Sequence, residues 1–140
     1  MSTSIGLLLI RVLAGFAMVY DHGYAKFQVI VNGGTDKFIN FLGMGPHASM
    51  ALSMTAEFFF AMFVVFGLFT RFSTIFLIIN MAVAFFVAHA GDPFIERELS
   101  FLYMIIFLML FFTGGGKYSL STFIKPHIPE NNQLLQYLAE

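Results

Sequence analysis

The sequence predicts an all-α integral membrane protein, a four-transmembrane-helix bundle with a short interfacial helix in its first long loop. Two observations carry that expectation. The 140-residue chain is 59% hydrophobic and 11% charged, whereas a soluble domain is about 45–50% apolar and about 25% charged. Its apolar residues, 20 phenylalanines among them, gather in four runs near the roughly 17–25 residues that a helical span needs. A soluble core of this size cannot hide so many aromatic rings.

The spans are expected at 4–22, 46–69, 71–88 and 93–113, within a single membrane domain covering 1–140, with a tail over 117–140. Ser4 is placed to cap the first helix and Gly23 to end it. No Lys or Arg precedes Ile5, so this run reads as a retained span rather than a cleaved leader. In the loop that follows, Phe38, Phe41 and Leu42 repeat at i, i+3, i+4 after Thr35 and Asp36, which predicts the interfacial helix. Pro46 suits the first turn of the second helix. The 68–71 connection is short, so helices two and three are antiparallel neighbours. Asp92 and Pro93 read as cap and first turn of the fourth helix, with Glu96 and Glu98 near its positive end. Gly114, Gly115 and Gly116 stop it. Leu134, Leu135 and Leu138 suggest a brief surface helix in the tail.

Arg11 and Glu57 stand in the middle of otherwise apolar runs. Central Arg costs roughly 2.5–3.5 kcal/mol to insert, and each central Leu, Ile, Phe or Val returns about 0.3–0.6. The first span therefore balances near zero and needs help from its neighbours. Intramembrane charges are functional candidates unless they close on each other. Counted from His22 and from Pro46, both residues lie about 11 positions deep, roughly 16 Å at helical rise. An Arg11–Glu57 pair is feasible, either as a structural clip or as part of a site. Arg11, Gly15, Met18 and His22 share one stripe of helix one, and Ser53, Glu57 and Ala61 share one of helix two. Asn80, midway along helix three, joins Arg11 and Glu57 in a polar cluster if it faces them, or simply bonds between helices.

A second polar group gathers at the membrane edge away from the termini: His22, Lys26, His47, His89, Asp92, Glu96 and Glu98. Its residue types suit a metal, but no pair has a tight ligand spacing, and no metal site is assigned. Asn80 and His89 are nine residues apart, on opposite faces of a straight helix. Tyr103 is placed to bond Glu57, His89 or a ligand carbonyl. The chain has no cysteine, which excludes disulfides, thiolate metal sites and Fe–S clusters of its own. With a net charge of −1, no basic cluster and no Gly-rich phosphate loop, nucleic acid is not expected as a partner. No nucleophile–base motif marks a free-standing enzyme. Arg71, Lys117 and Lys125 fall on the side of the termini and Lys26, Lys37 and Arg97 on the other, so charge alone leaves orientation tied.

At these positions the chain resembles the DoxX family of small four-helix membrane proteins. The resemblance is carried by GLLLIRVLAGFAMVYDHGYAKF, AEFFFAMFVVFGLFTRFST, MAVAFFVAHA and ERELSFLYMIIFLMLFFTGGGKYSL, in order over residues 5–121. It departs from the family where Gly-Pro-Gly and Ser-Leu-Asp are common: here stand Gly114-Gly115-Gly116 and Ser119-Leu120-Ser121. The longer tail also departs. The resemblance implies a bacterial inner membrane location, cytoplasmic termini and association with quinone-linked redox complexes that handle sulfur or oxidative stress.

The leading functional expectation is an accessory subunit of a membrane redox complex with a site for a quinone-type or other apolar ligand. Its ligand-binding residues would be Arg11, His22, Lys26, Glu57, His89, Glu98 and Tyr103, and a redox partner protein would supply the electrons. A small oligomeric transporter, here a homo-oligomer in the lipid bilayer, and a scaffold with an Arg–Glu clip are the alternatives.

Overall fold

The structure is a computed structural model that describes residues 2–128 and 132–139, and the described residues hold helices and turns without strands. Four long helices dominate. Helix α1 runs Ser2–Val31, α2 Pro46–Phe66 and α3 Thr70–Ala88. Helix α4 runs Phe94–Thr113. Two short helices follow, α5 over Ser121–Ile124 and α6 over Gln133–Ala139.

Three of these helices, α1 to α3, are long and apolar enough to cross a membrane. The uncharged part of α4 begins only at Leu99, after Glu96, Arg97 and Glu98, and so falls short of a span of roughly 17 residues. Large apolar side chains point outward all round: Leu13 and Phe16 on α1, Leu52 on α2, Ile79 and Phe86 on α3, Met109 and Phe112 on α4. Such a surface is a liability in water and the expected one in hydrocarbon. The core proper is small, built from Met18, Ala61, Val64, Leu77, Met81, Phe107 and Leu110. Helices α1 and α2 approach closely because Gly15 gives no side chain to the contact. A Cβ there would meet Val65 Cγ2 at 2.7 Å and the Ala61 carbonyl oxygen at 3.2 Å.

Several local expectations are corrected. Gly23 does not end α1. The helix continues through it, passing through a π-helical stretch over Met18–Tyr24 and resuming α-geometry over Ala25–Val31. Ser4 lies inside α1 rather than at its cap. Asp92 does not cap α4; Pro93 occupies that position with no side-chain cap, and Asp92 turns to His89 instead. The interfacial helix does not form. Its segment holds two isolated 3-10 turns, Thr35–Lys37 and Phe41–Gly43. The reason is local backbone geometry: Phe38 is extended, and Leu42, Gly43 and Gly45 all have positive φ, which no continuous right-handed helix accepts. Pro46 opens α2, and Gly114, with φ of 73°, ends α4.

Candidate functional site

Glu57 is 3% exposed, and a carboxylate so placed must be paired and hydrogen-bonded. Lys26 Nζ pairs with its Oε2. Asn80 Nδ2 donates to Oε1 at 2.8 Å, and Ser53 Oγ donates to the same oxygen at 3.4 Å. Three helices thus converge on one carboxylate. Lys26 reaches it because α1 stays helical beyond Gly23. Gly23 in turn lets the two backbones touch, since an added Cβ would fall 2.7 Å from the Glu57 carbonyl oxygen. Glu57 itself stands in a π-helical stretch, Ala56–Phe60, and such stretches are frequent at functional sites.

Lys26, Ser53, Glu57 and Asn80 line a cavity of about 410 Å³, within the size range of small-molecule sites. Most of the remaining walls are apolar. Phe60 and Phe76 stack across the α2–α3 seam with centroids 4.2 Å apart. Phe38, Ile39 and Phe41 of the α1–α2 loop also line it. That loop is held by Ser49, whose Oγ accepts from Phe41 N at 3.0 Å and donates to Gly45 O at 2.7 Å.

His89 lines the same cavity as Asn80, contrary to the expectation that they face apart. The end of α3 is π-helical over Ala84–Ala88. A wider turn rotates each residue less about the axis, so straight-helix counting misplaces His89. Its Nδ1 lies 2.7 Å from Asp92 Oδ2 at the exposed edge.

The other expected site residues lie elsewhere. Arg11 does not pair with Glu57. Its Nη1 donates to Gly115 O and its Nη2 to Tyr118 O, both at 2.9 Å. Its guanidinium also packs where a Gly67 side chain would be, 1.9 Å from that imagined Cβ. Helical side chains lean toward the N-terminus, which carries this long one away from Glu57. It arrives where α2 and α4 end and present their partially negative carbonyls. The expected cluster of Arg11, Glu57 and Asn80 therefore divides into an Arg11 anchor and a Glu57 site. His22 meets Tyr103 edge-on at 5.7 Å between centroids, and Tyr103 stacks on Phe107. Neither these two nor Glu98 lines the cavity. Among the described residues, no three His, Asp or Glu side chains converge as metal ligands. A second cavity, about 480 Å³, lies among Gly115, Gly116, Ser119 and Ser121 beside the Arg11 anchor. Its lining holds no carboxylate.

The Lys26–Glu57 pair and the loop aromatics were missed by sequence reasoning. The signal for Lys26 was present: it follows Gly23 by three residues and shares its helical face only if the helix continues.

No solved structure matches the chain. A Haemophilus influenzae protein, described as an uncharacterized protein, is 33% identical over 87 residues, which is 59% of this chain and 58% of that relative. The match thus spans less than two thirds of the relative's length. The family model named DoxX matches residues 6–90, a range that includes Lys26, Glu57, Asn80 and His89 but stops short of α4. The chain belongs to the DoxX family.

Proposed function

We propose that this membrane protein is an accessory subunit of a bacterial inner-membrane redox complex and holds a quinone-type or other apolar ligand beside Glu57. One observation carries the reading: a buried carboxylate, joined to a lysine and an asparagine, in a mostly apolar cavity. Convergent polar groups in an apolar pocket are the default mark of a ligand site.

The site residues have complementary capacities. The Lys26 ammonium has three donors, so it can serve Glu57 and a ligand carbonyl together. The Asn80 carbonyl oxygen is an acceptor for a ligand hydroxyl. Reducing a quinone to its hydroquinone takes two electrons and two protons. In this reading Glu57 passes protons, and the His89–Asp92 pair stands at the exposed edge of the same cavity. Electrons come from a redox partner protein. In this reading α4 crosses with the other three helices, and the termini are cytoplasmic.

The test is thermal unfolding in mild detergent with a short-tailed quinone added. A ligand that binds only the folded state, at about a hundredfold its Kd, stabilises by about 2.7 kcal/mol. The wild type should shift upward and Glu57→Gln should not. Equal shifts in both, or none in the wild type, would remove the quinone site.

A scaffold role is the second reading, favoured by the fact that both Glu57 oxygens are already engaged within the protein. It predicts a less stable Glu57→Gln variant and no retained ligand in the wild type.

A further inference from the structure

The walls of the Glu57 cavity say from which phase it is filled. One wall is the stacked pair of Phe60 and Phe76 rings. Another is Phe38, Ile39 and Phe41, in a loop tied down by Ser49 and by Asn40, whose Oδ1 accepts from Gly45 N at 2.7 Å. His89 lines the cavity at the exposed edge that Asp92 shares. A further part of the lining is Leu52 of α2 and Ile79 of α3. Both line the cavity, and both are more than half exposed, at 57% and 55%. They stand on helices long and apolar enough to span a membrane, so what they are exposed to is hydrocarbon.

We infer that the cavity opens sideways into the bilayer between Leu52 and Ile79, and that its occupant is a membrane-dissolved, largely apolar molecule whose compact polar group ends at Lys26, Glu57 and Asn80. This rests on the reading of the Glu57 cavity as a ligand site, and it adds the route and the phase. A water-soluble substrate would have to pass the Phe38–Phe41 cover or the His89–Asp92 edge and then leave water for a mostly apolar lumen, at the cost of desolvating its polar groups. A lipid-phase molecule keeps its apolar part in hydrocarbon and gains hydrogen bonds at its head.

Photolabelling separates the routes without requiring the natural ligand. The protein is placed in phosphatidylcholine nanodiscs in which a fraction of the lipid carries an alkyl diazirine at its acyl terminus. Glu57 lies about 11 residues from the start of α2, roughly 16 Å along the helix, near the depth of that terminus in a hydrocarbon layer of about 30 Å. Adducts are then mapped by mass spectrometry. A Glu57 adduct is expected, falling several-fold in Ile79→Trp and in Leu52→Trp while adducts on the outward Leu13 and Phe16 stay unchanged. The two rim variants alter exposed positions from opposite sides, so misfolding of one leaves the other as the test. Outward labelling without a Glu57 adduct would overturn the inference, as would a Glu57 adduct insensitive to both variants. Labelling of Glu57 by a water-soluble diazirine alcohol, in place of the lipid reagent, would overturn lateral entry while leaving the ligand site itself standing. Failure of the quinone to stabilise the protein, with lateral labelling intact, would instead remove only the quinone.

Discussion

Two of the buried charges, Arg11 and Glu57, stand in the middle of apolar helices, and each can be tested by its partners. Glu57→Gln keeps an acceptor for Asn80 but leaves Lys26 without its counter-charge. Breaking a buried ion pair from one side costs about 3–5 kcal/mol, while replacing both charges with apolar groups of like volume is often neutral. Lys26 is partly exposed, at 21% of its side chain, so the low end is expected. Thermal unfolding should show Glu57→Gln well below the wild type, and Glu57→Gln with Lys26→Met recovering most of the loss. Additive losses would show that the two charges do not act as a pair. Arg11→Lys tests the other charge. Lysine cannot span the Gly115 and Tyr118 carbonyls as the guanidinium fork does. The loss should be about 1–3 kcal/mol, with faster proteolysis within 114–119 as a specific readout.

Both charges were conspicuous in the sequence, because ionisable residues are rare in apolar runs. Their pairing was not. Equal depth made Arg11 and Glu57 plausible partners, but depth was counted at Cα, and a side chain as long as arginine's carries its charge most of a helical turn away. The Ser53, Glu57 and Ala61 stripe was legible from spacing alone.

At the scale of elements, the departures from α-geometry decide which side chains meet. The α1 and α2 π-helical stretches, Met18–Tyr24 and Ala56–Phe60, face each other across Gly23. Gly23→Ala would push its Cβ against backbone atoms of Glu57 and Phe58 that cannot move aside, at 2.7–2.8 Å. Overpacking of this kind costs about 1–3 kcal/mol, and it should also separate Lys26 from Glu57. Gly6→Ala is the control: nothing lies within 4 Å of that position, and helix propensity favours the change by about 0.5–1 kcal/mol. Unfolding midpoints that move in opposite directions are expected; a neutral Gly23→Ala would contradict the close approach. Helix positions were readable from hydropathy, while the π-helical stretches were not. They have no compositional mark, and the one at Ala84–Ala88 shifts the residue count that leads to His89. The loop aromatics were misread for a related reason. Their spacing is helical, but the positive φ angles at Leu42, Gly43 and Gly45 override it.

For the whole molecule, the number of crossings fixes whether the two ends of the helical bundle share a compartment. Three helices meet the requirements of a span, and α4 carries Glu96, Arg97 and Glu98 in its first turns. Four crossings put Ser2 and Lys117 on the same side. Because the chain has no cysteine, Ser2→Cys, Gly91→Cys and Lys117→Cys each give one thiol for an impermeant maleimide. Labelling of the first and third from one side and of the second from the other is expected. Ser2 and Lys117 labelled from opposite sides would mean that α4 lies on the membrane.

The site at Glu57 is tested most directly by what it carries. Protein purified in mild detergent is extracted with organic solvent, and the extract is compared by mass spectrometry between wild type and a folded Glu57→Gln variant. An apolar molecule with a polar head, retained near one per chain by the wild type and lost from the variant, is the expected result. No enriched molecule in either sample, with the variant merely less heat-stable, would contradict a ligand site and leave Glu57 as a structural tie among three helices.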